Sequence, residues 1–176
     1  YPKLGLLQVF DGKDLVLIDP VEVNDLTPFW QLLTDPSVSK VLHACSEDLE
    51  VFLTQGCGKP VNLIDSQIMM SFLGHGLSMG YAAMINHFLS IELDKSQSRT
   101  DWLQRPLSEK QLHYAAADVF YLWQVSQQLF DDVNQAEWLD AAYEETGSMV
   151  NKKFTPIDED LLYRNFKQSW RLNPQQ

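Results

Sequence analysis

Short apolar runs of strand character fall within residues 4–64, and every later periodic stretch carries helical spacing. This ordering predicts a mixed α/β domain with a helical C-terminal portion. Leu4–Phe10 and Leu15–Ile18 read as two strands joined through Asp11-Gly12, a pair suited to a turn that needs positive φ. Val38–His43 and Val61–Ile64 read as two more strands. Thr27 followed by Pro28 predicts an N-cap and first helical position, opening a helix through Leu33. Ser46 is expected to cap a helix through Leu49, Phe52 and Leu53 that ends at Gly56. Asp65 is placed to cap the next, through Ile68, Met69 and Phe72. Tyr81–Leu89 is a further helix, and Ser108-Glu109-Lys110-Gln111 fits a capping box that opens a long one to about Phe130. Amphipathic stretches at Gln135–Glu145 and Asp158–Trp170 are separated by Gly147–Pro156, which reads as a linker.

At 176 residues and 45% hydrophobic, one globular domain can bury a full core without disulfide or metal staples. Cys45 and Cys57 are too few for a disulfide framework and lack zinc-ligand spacing, so both read as idle thiols. No apolar run of about 18 residues suggests a membrane span, and no signal-type segment opens the chain. The formal charge of −11 argues at first against nucleic acid. Residues 131–160 hold nine acids against Lys152 and Lys153, a net −7 that leaves only −4 elsewhere. Positive charge gathers at Lys95, Arg99, Arg105 and Lys110, and again at Arg164, Lys167 and Arg171. An acidic protein can still hold a phosphate chain when divalent ions supply the local positive field. Charge therefore leaves the partner open.

Chemistry concentrates in two places. Within the long helix, Tyr114 and Asp118 stand at i and i+4, on one face with roughly 5–6 Å between β-carbons. They fall beside an expected core stripe of Leu112, Ala115, Ala116, Val119, Leu122 and Trp123. Asp48 lies in the first turn of the helix behind Ser46, where an acid also complements the helix macrodipole. Glu47 and Glu50 compete with it for any role.

In order along the chain these segments resemble the ribonuclease D family. His43-Ala44-Cys45-Ser46-Glu47-Asp48-Leu49-Glu50-Val51-Phe52 is similar to that family's second exonuclease motif, and His113–Leu122 to its third, the Tyr-x-x-x-Asp form of the DEDDy class. Asp94–Leu103 leading into Arg105-Pro106-Leu107 is a family-like run, and Leu4–Phe10 with Leu17-Ile18-Asp19 resembles the family's second and third strands. The resemblance implies a ribonuclease H-like 3′-5′ exonuclease fold, α/β, with a mixed central sheet flanked by helices. It implies hydrolysis of RNA from the 3′ end to nucleoside 5′-monophosphates, with tRNA precursors as substrates, in a cytoplasmic protein expected to be monomeric and free of membrane. Two divalent ions, Mg²⁺ or Mn²⁺, would clamp the attacking and leaving oxygens about 3.5–4 Å apart. Asp118 would bind the ion that activates water, Asp48 would support the second, directly or through a water, and Tyr114 would orient the attacking water. His43, Gln8 and Arg99 are candidates for touching substrate.

The family's first motif, Asp-x-Glu on the opening strand, is expected shortly before Tyr1 and does not occur in the chain. Asp48-Leu49-Glu50 has the letters but falls on a helix and already fits the second motif. The sheet is therefore expected to lack its first strand, and the chain alone to be inactive or nearly so. Residues 1–146 are read as the exonuclease domain, and 147–176 as a linker and helix leading toward helical domains not present in the sequence. Two alternatives stand beside this reading, a noncatalytic exonuclease-fold module that binds RNA or protein, and a DNA 3′-5′ exonuclease. Gly56-Cys57-Gly58-Lys59-Pro60 lacks the full phosphate-loop spacing and reads as a turn. His75, His87 and His113 share no ligand spacing, and Arg99 is expected to pair with Asp101 or to touch substrate.

Overall fold

A computed structural model describes residues 3–156. Two strands, β1 (Leu7–Phe10) and β2 (Leu15–Ile18), pair antiparallel, with Leu7 opposite Ile18 and Phe10 opposite Leu15. Their turn is fixed by Asp11, whose Oδ1 accepts the amides of Lys13 (2.9 Å) and Asp14 (2.7 Å). Gly12 takes φ +93°, and a β-carbon there would meet the Trp123 ring at 2.4 Å, so both conformation and space demand glycine. After helix α1 (Thr27–Thr34), strand β3 (Lys40–Leu42) leads into α2 (Ser46–Thr54), and β4 (Leu63–Asp65) into α3 (Ser66–Phe72). β3 and β4 are parallel neighbours, with Leu42 opposite Asp65. Three helices complete the described chain: α4 (Tyr81–Leu89), α5 (Glu109–Gln135) and α6 (Leu139–Phe154).

The mixed sheet is present as two separate pairs, one antiparallel and one parallel. Among the described residues, β1 and β3 each keep one edge without a strand partner. Helices bridge the pieces. α5 packs on β1, β2, α3, α4 and α6, while α6 packs on β4 and α2. One core cluster gathers Ile64, Met69, Met70, Met84, Ile85, Val125, Leu129, Val133 and Ala142, and the other Leu33, Cys45, Leu49, Phe52, Cys57, Leu63 and Val150. Both cysteines are free and buried, as the idle-thiol reading requires.

Four local expectations need correction. Gly147 does not open a linker, because α6 runs unbroken through it to Phe154. Ala142, Thr146 and Val150 are buried at i, i+4 and i+8, and that packing outweighs a glycine cost of about 1 kcal/mol. The expected helix at Asp158–Trp170 lies outside the described residues. Thr27 is the first residue of α1, not its cap; the Asp25 carboxylate accepts the Thr27 amide (2.9 Å) instead. Ser46 is likewise inside α2, whose N-cap is Cys45 and has no side-chain hydrogen bond. On α5, Leu112 and Trp123 are 39% exposed, and the buried positions are Gln111, Ala115, Val125, Ser126, Leu129 and Val133. Trp123 packs on Phe10 and the Gly12 turn of a two-stranded hairpin, too small a surface to cover it. The capping box at Ser108 and Gln111 and the Asp65 cap of α3 form as expected.

Candidate active site

Tyr114 and Asp118 sit half-buried one turn apart on α5, beside the buried Ala115. Burial pushes the Asp118 carboxyl up to about 6. The Tyr114 phenol is raised by burial, then by Asp118 and Asp94. The Trp102 ring lies 6.0 Å from that of Tyr114. Gln111, at the start of α5, donates to Thr100 Oγ1 (3.2 Å) and the Asp101 carbonyl (3.1 Å), tying the 94–103 loop to the same helical turn. Arg105 then fastens this loop to the hairpin: its guanidinium donates to both oxygens of Asp19 and to the carbonyls of Gly5 and Trp102. Arg105 in turn holds the Asp19 carboxyl below the ordinary carboxylate range.

Asp48 enters from α2. It is solvent-accessible while surrounded by protein atoms, and that crowding, with the charges of Asp65 and Glu47, pushes its carboxyl up to about 6. His43 stands just ahead of it. The Ser66 hydroxyl donates to the Leu42 carbonyl (2.9 Å), so the Nδ1–H of His43 donates to Ser66 Oγ (2.9 Å). Among the described residues His43 Nε2 is buried without a partner, and burial lowers the imidazole pKa. The His43 ring meets Tyr81 edge to face at 5.6 Å, and the Tyr81 hydroxyl donates to the backbone carbonyls of Ala117 (3.2 Å) and Asp118. This chain of contacts links the turn before Asp48 to the turn that carries Asp118. Tyr81 is a residue that motif reading missed; its signal, an aromatic opening a helix, is indistinguishable from a core position.

The remaining candidates lie apart. Gln8 is mid-β1 opposite Leu17, in the other sheet piece from His43. Arg99 is exposed on the loop before α5. Among the described residues it makes no ion pair with Asp101, whose Oδ1 takes the Leu103 amide (2.9 Å). His113 is exposed, whereas His75 and His87 are brought together with rings 4.5 Å apart. A cavity of about 1060 Å³ opens between Lys3, Leu4, the 20–27 loop, Trp30 and the end of α2, and none of Asp48, Tyr114 and Asp118 lines it. Among the described residues no three of His, Cys, Asp and Glu converge on one metal position. Asp48 and Asp118 nonetheless supply hard oxygen donors suited to Mg²⁺ or Mn²⁺. Both would relinquish a proton more readily beside a cation.

A raised carboxylate pKa sets a sign for stability. Asp118 titrates near 3.8 when unfolded and at about 6 when folded. Between those values the folded chain holds the extra proton, so stability falls as pH rises, and above about 6 the full penalty is present. Asp118→Asn is therefore expected to stabilise this chain at pH 8 without metal by on the order of 2 kcal/mol. The gain should vanish by pH 3.5, and melting curves in chelator at both pH values check this.

A family model described as 3′-5′ exonuclease matches residues 1–134. The chain belongs to this 3′-5′ exonuclease family. Within it the resemblance to ribonuclease D is borne out. The chain is 46% identical to ribonuclease D of Cronobacter turicensis, over 100% of this chain and 48% of that protein. It superposes with TM-score 0.91 and 44% identity on the crystal structure of Escherichia coli RNase D, described as an exoribonuclease involved in structured RNA processing, covering 98% of this chain and 46% of that one. Brucella melitensis NrnC with bound Mg²⁺ shares the fold of this exonuclease domain at TM-score 0.73 and 20% identity, over 93% of this chain and 79% of that one. The chain thus spans about half the length of the ribonuclease D proteins it matches.

Proposed function

We propose that this domain serves a metal-dependent 3′→5′ exoribonuclease that releases nucleoside 5′-monophosphates, with tRNA precursors among its cytoplasmic substrates. The observation that carries this reading is the pairing of Asp118 with Tyr114 on α5, linked through Tyr81 and His43 to the turn before Asp48, with both carboxyls raised to about 6. Asp48 and Asp118 would hold the two divalent ions. When bound, such ions stabilise the attacking and leaving oxygens of a phosphodiester displacement. Two carboxylates leave coordination positions open, which an Asp-x-Glu strand would fill; without it residues 1–176 turn over RNA slowly or not at all.

The protein's own contribution is positional. The Tyr114 phenol is protonated at neutral pH and its raised pKa only reinforces this, so its hydroxyl can donate to a water or a phosphate oxygen beside Asp118. Lys110 stands one turn before Tyr114 on α5, and Lys95 and Arg99 are exposed on the preceding loop, where they can meet the phosphate chain. The exonuclease domain extends through α6, since that helix buries its stripe against β4 and α2.

The test uses 5′-labelled RNA and DNA of one sequence in equal Mg²⁺, with a polypeptide that joins an Asp-x-Glu strand to Tyr1. Stepwise shortening from the 3′ end, faster on RNA, is the expected result. Faster loss of DNA would transfer the reading to a deoxyribonuclease, and binding without shortening to a noncatalytic module. In the same assay Tyr114→Phe should lower kcat by about a hundredfold with little change in KM, as expected when water orientation is lost.

A further inference from the structure

Asp48 is placed by the turn between β3 and α2, and the bonds that fix this turn come from the neighbouring strand. Parallel pairing sets Leu42 opposite Asp65, so β3 and β4 end at one level and turn into α2 and α3 side by side. Asp65 is 2% exposed. Its Oδ1 accepts the amides of Ala44 (2.9 Å) and Gln67 (2.8 Å), and its Oδ2 accepts the amide of Cys45 (2.8 Å). Only the Gln67 bond is helix capping; the other two reach 20–21 residues back along the chain. Ser66 adds the Leu42 carbonyl and His43 Nδ1. Four consecutive residues, 42–45, are thereby tied to the Asp65–Ser66 pair.

The turn needs this support. Ala44 takes φ +54°, in the left-handed region where an alanine has no side-chain polar group to compensate. α2 also lacks a capping side chain of its own at Cys45. Asp65 is itself braced, its amide donating to Thr146 Oγ1 (3.2 Å) on α6.

We propose that Asp65 is a positioning residue for catalysis: through the Ala44 and Cys45 amides it holds the strained turn that aims Asp48. This rests on the reading of Asp48 given under Proposed function. Asp65 positions Asp48 through the backbone of this turn, and its charge adds to the field that raises the Asp48 carboxyl.

The deciding variant is Asp65→Ser. Serine still caps α3, but its side chain is too short to reach both amides of the turn. In the exonuclease completed by an Asp-x-Glu strand, Asp65→Ser should lower kcat at least tenfold with KM for RNA within twofold. Hydrogen exchange at Ala44 and Cys45 should accelerate while the α3 amides stay protected. Adding Ala44→Gly removes the need for strain, because glycine adopts that φ freely, and should restore at least a third of the lost kcat. A role confined to capping α3 would not respond to residue 44. Unchanged kcat in Asp65→Ser, or no rescue by Ala44→Gly, overturns the proposal. If Asp65→Ser alone does not fold, the double variant decides, since it must then recover both fold and turnover. Asp48→Asn runs alongside. If it leaves turnover intact, the site reading itself fails; if it abolishes turnover while Asp65→Ser does not, only the role of Asp65 falls.

Discussion

Asp118→Asn is expected to lower RNA hydrolysis about a thousandfold, or about 4 kcal/mol of transition-state stabilisation, in a polypeptide that joins an Asp-x-Glu strand to Tyr1. The amide keeps the shape of the carboxylate and removes its charge, so the loss reports on the charge alone. Asp118 has no ion-pair partner among the described residues, and burial has already raised its carboxyl to about 6. A charge held this way costs stability unless a cation meets it. Opposite signs should therefore appear in one variant, lower turnover in Mg²⁺ and higher melting temperature in chelator. Single-turnover rates and melting curves measure both. Turnover within tenfold of the parent would remove Asp118 from the site.

The second large effect is a gain. Supplying an Asp-x-Glu strand, fused ahead of Tyr1, should raise RNA hydrolysis by residues 1–176 by roughly a thousandfold or more, the scale expected when missing ligands complete a two-ion site. β1 and β3 each present an edge without a strand partner among the described residues, and such edges accept an added strand through backbone hydrogen bonds. The fusion should also bind Mn²⁺ more tightly, which calorimetry can follow. A fusion that melts higher yet neither binds Mn²⁺ nor cleaves RNA would separate completing the sheet from completing the site.

Much of this was legible in the sequence because local chemistry speaks plainly there. Ser108 and Gln111 announced the start of α5, and the i, i+4 spacing of Tyr114 and Asp118 followed directly once that helix was placed. Asp65 was legible as a helix cap, but its bonds to Ala44 and Cys45 were not, because no local pattern encodes which residue lies across a parallel pair. The same limit hid Tyr81, whose importance comes from two carbonyls on α5 more than thirty residues away. Gly147 misled for a related reason. A glycine reads as a break until Val150 and Ala142 are known to be buried on either side of it.

The division of the sheet into two pieces has a mechanical consequence. α5, 27 residues and so about 40 Å long, carries the β1–β2 piece, while β4 of the other piece rests on α3 and α6. α5 is also clasped by α3, α4 and α6. Near its middle it carries the β1–β2 hairpin through Phe10 against Phe120 and Trp123, and the Arg105 staple holds the hairpin from the loop before α5. Of the hairpin's strand residues only Leu7 is buried. With so little buried surface, the hairpin's amides are expected to exchange faster than those of α3 and α6. Tyr114 and Asp118 lie on the stretch of α5 just before Phe120 and Trp123, so the chemistry is mounted next to this lightly buried hairpin.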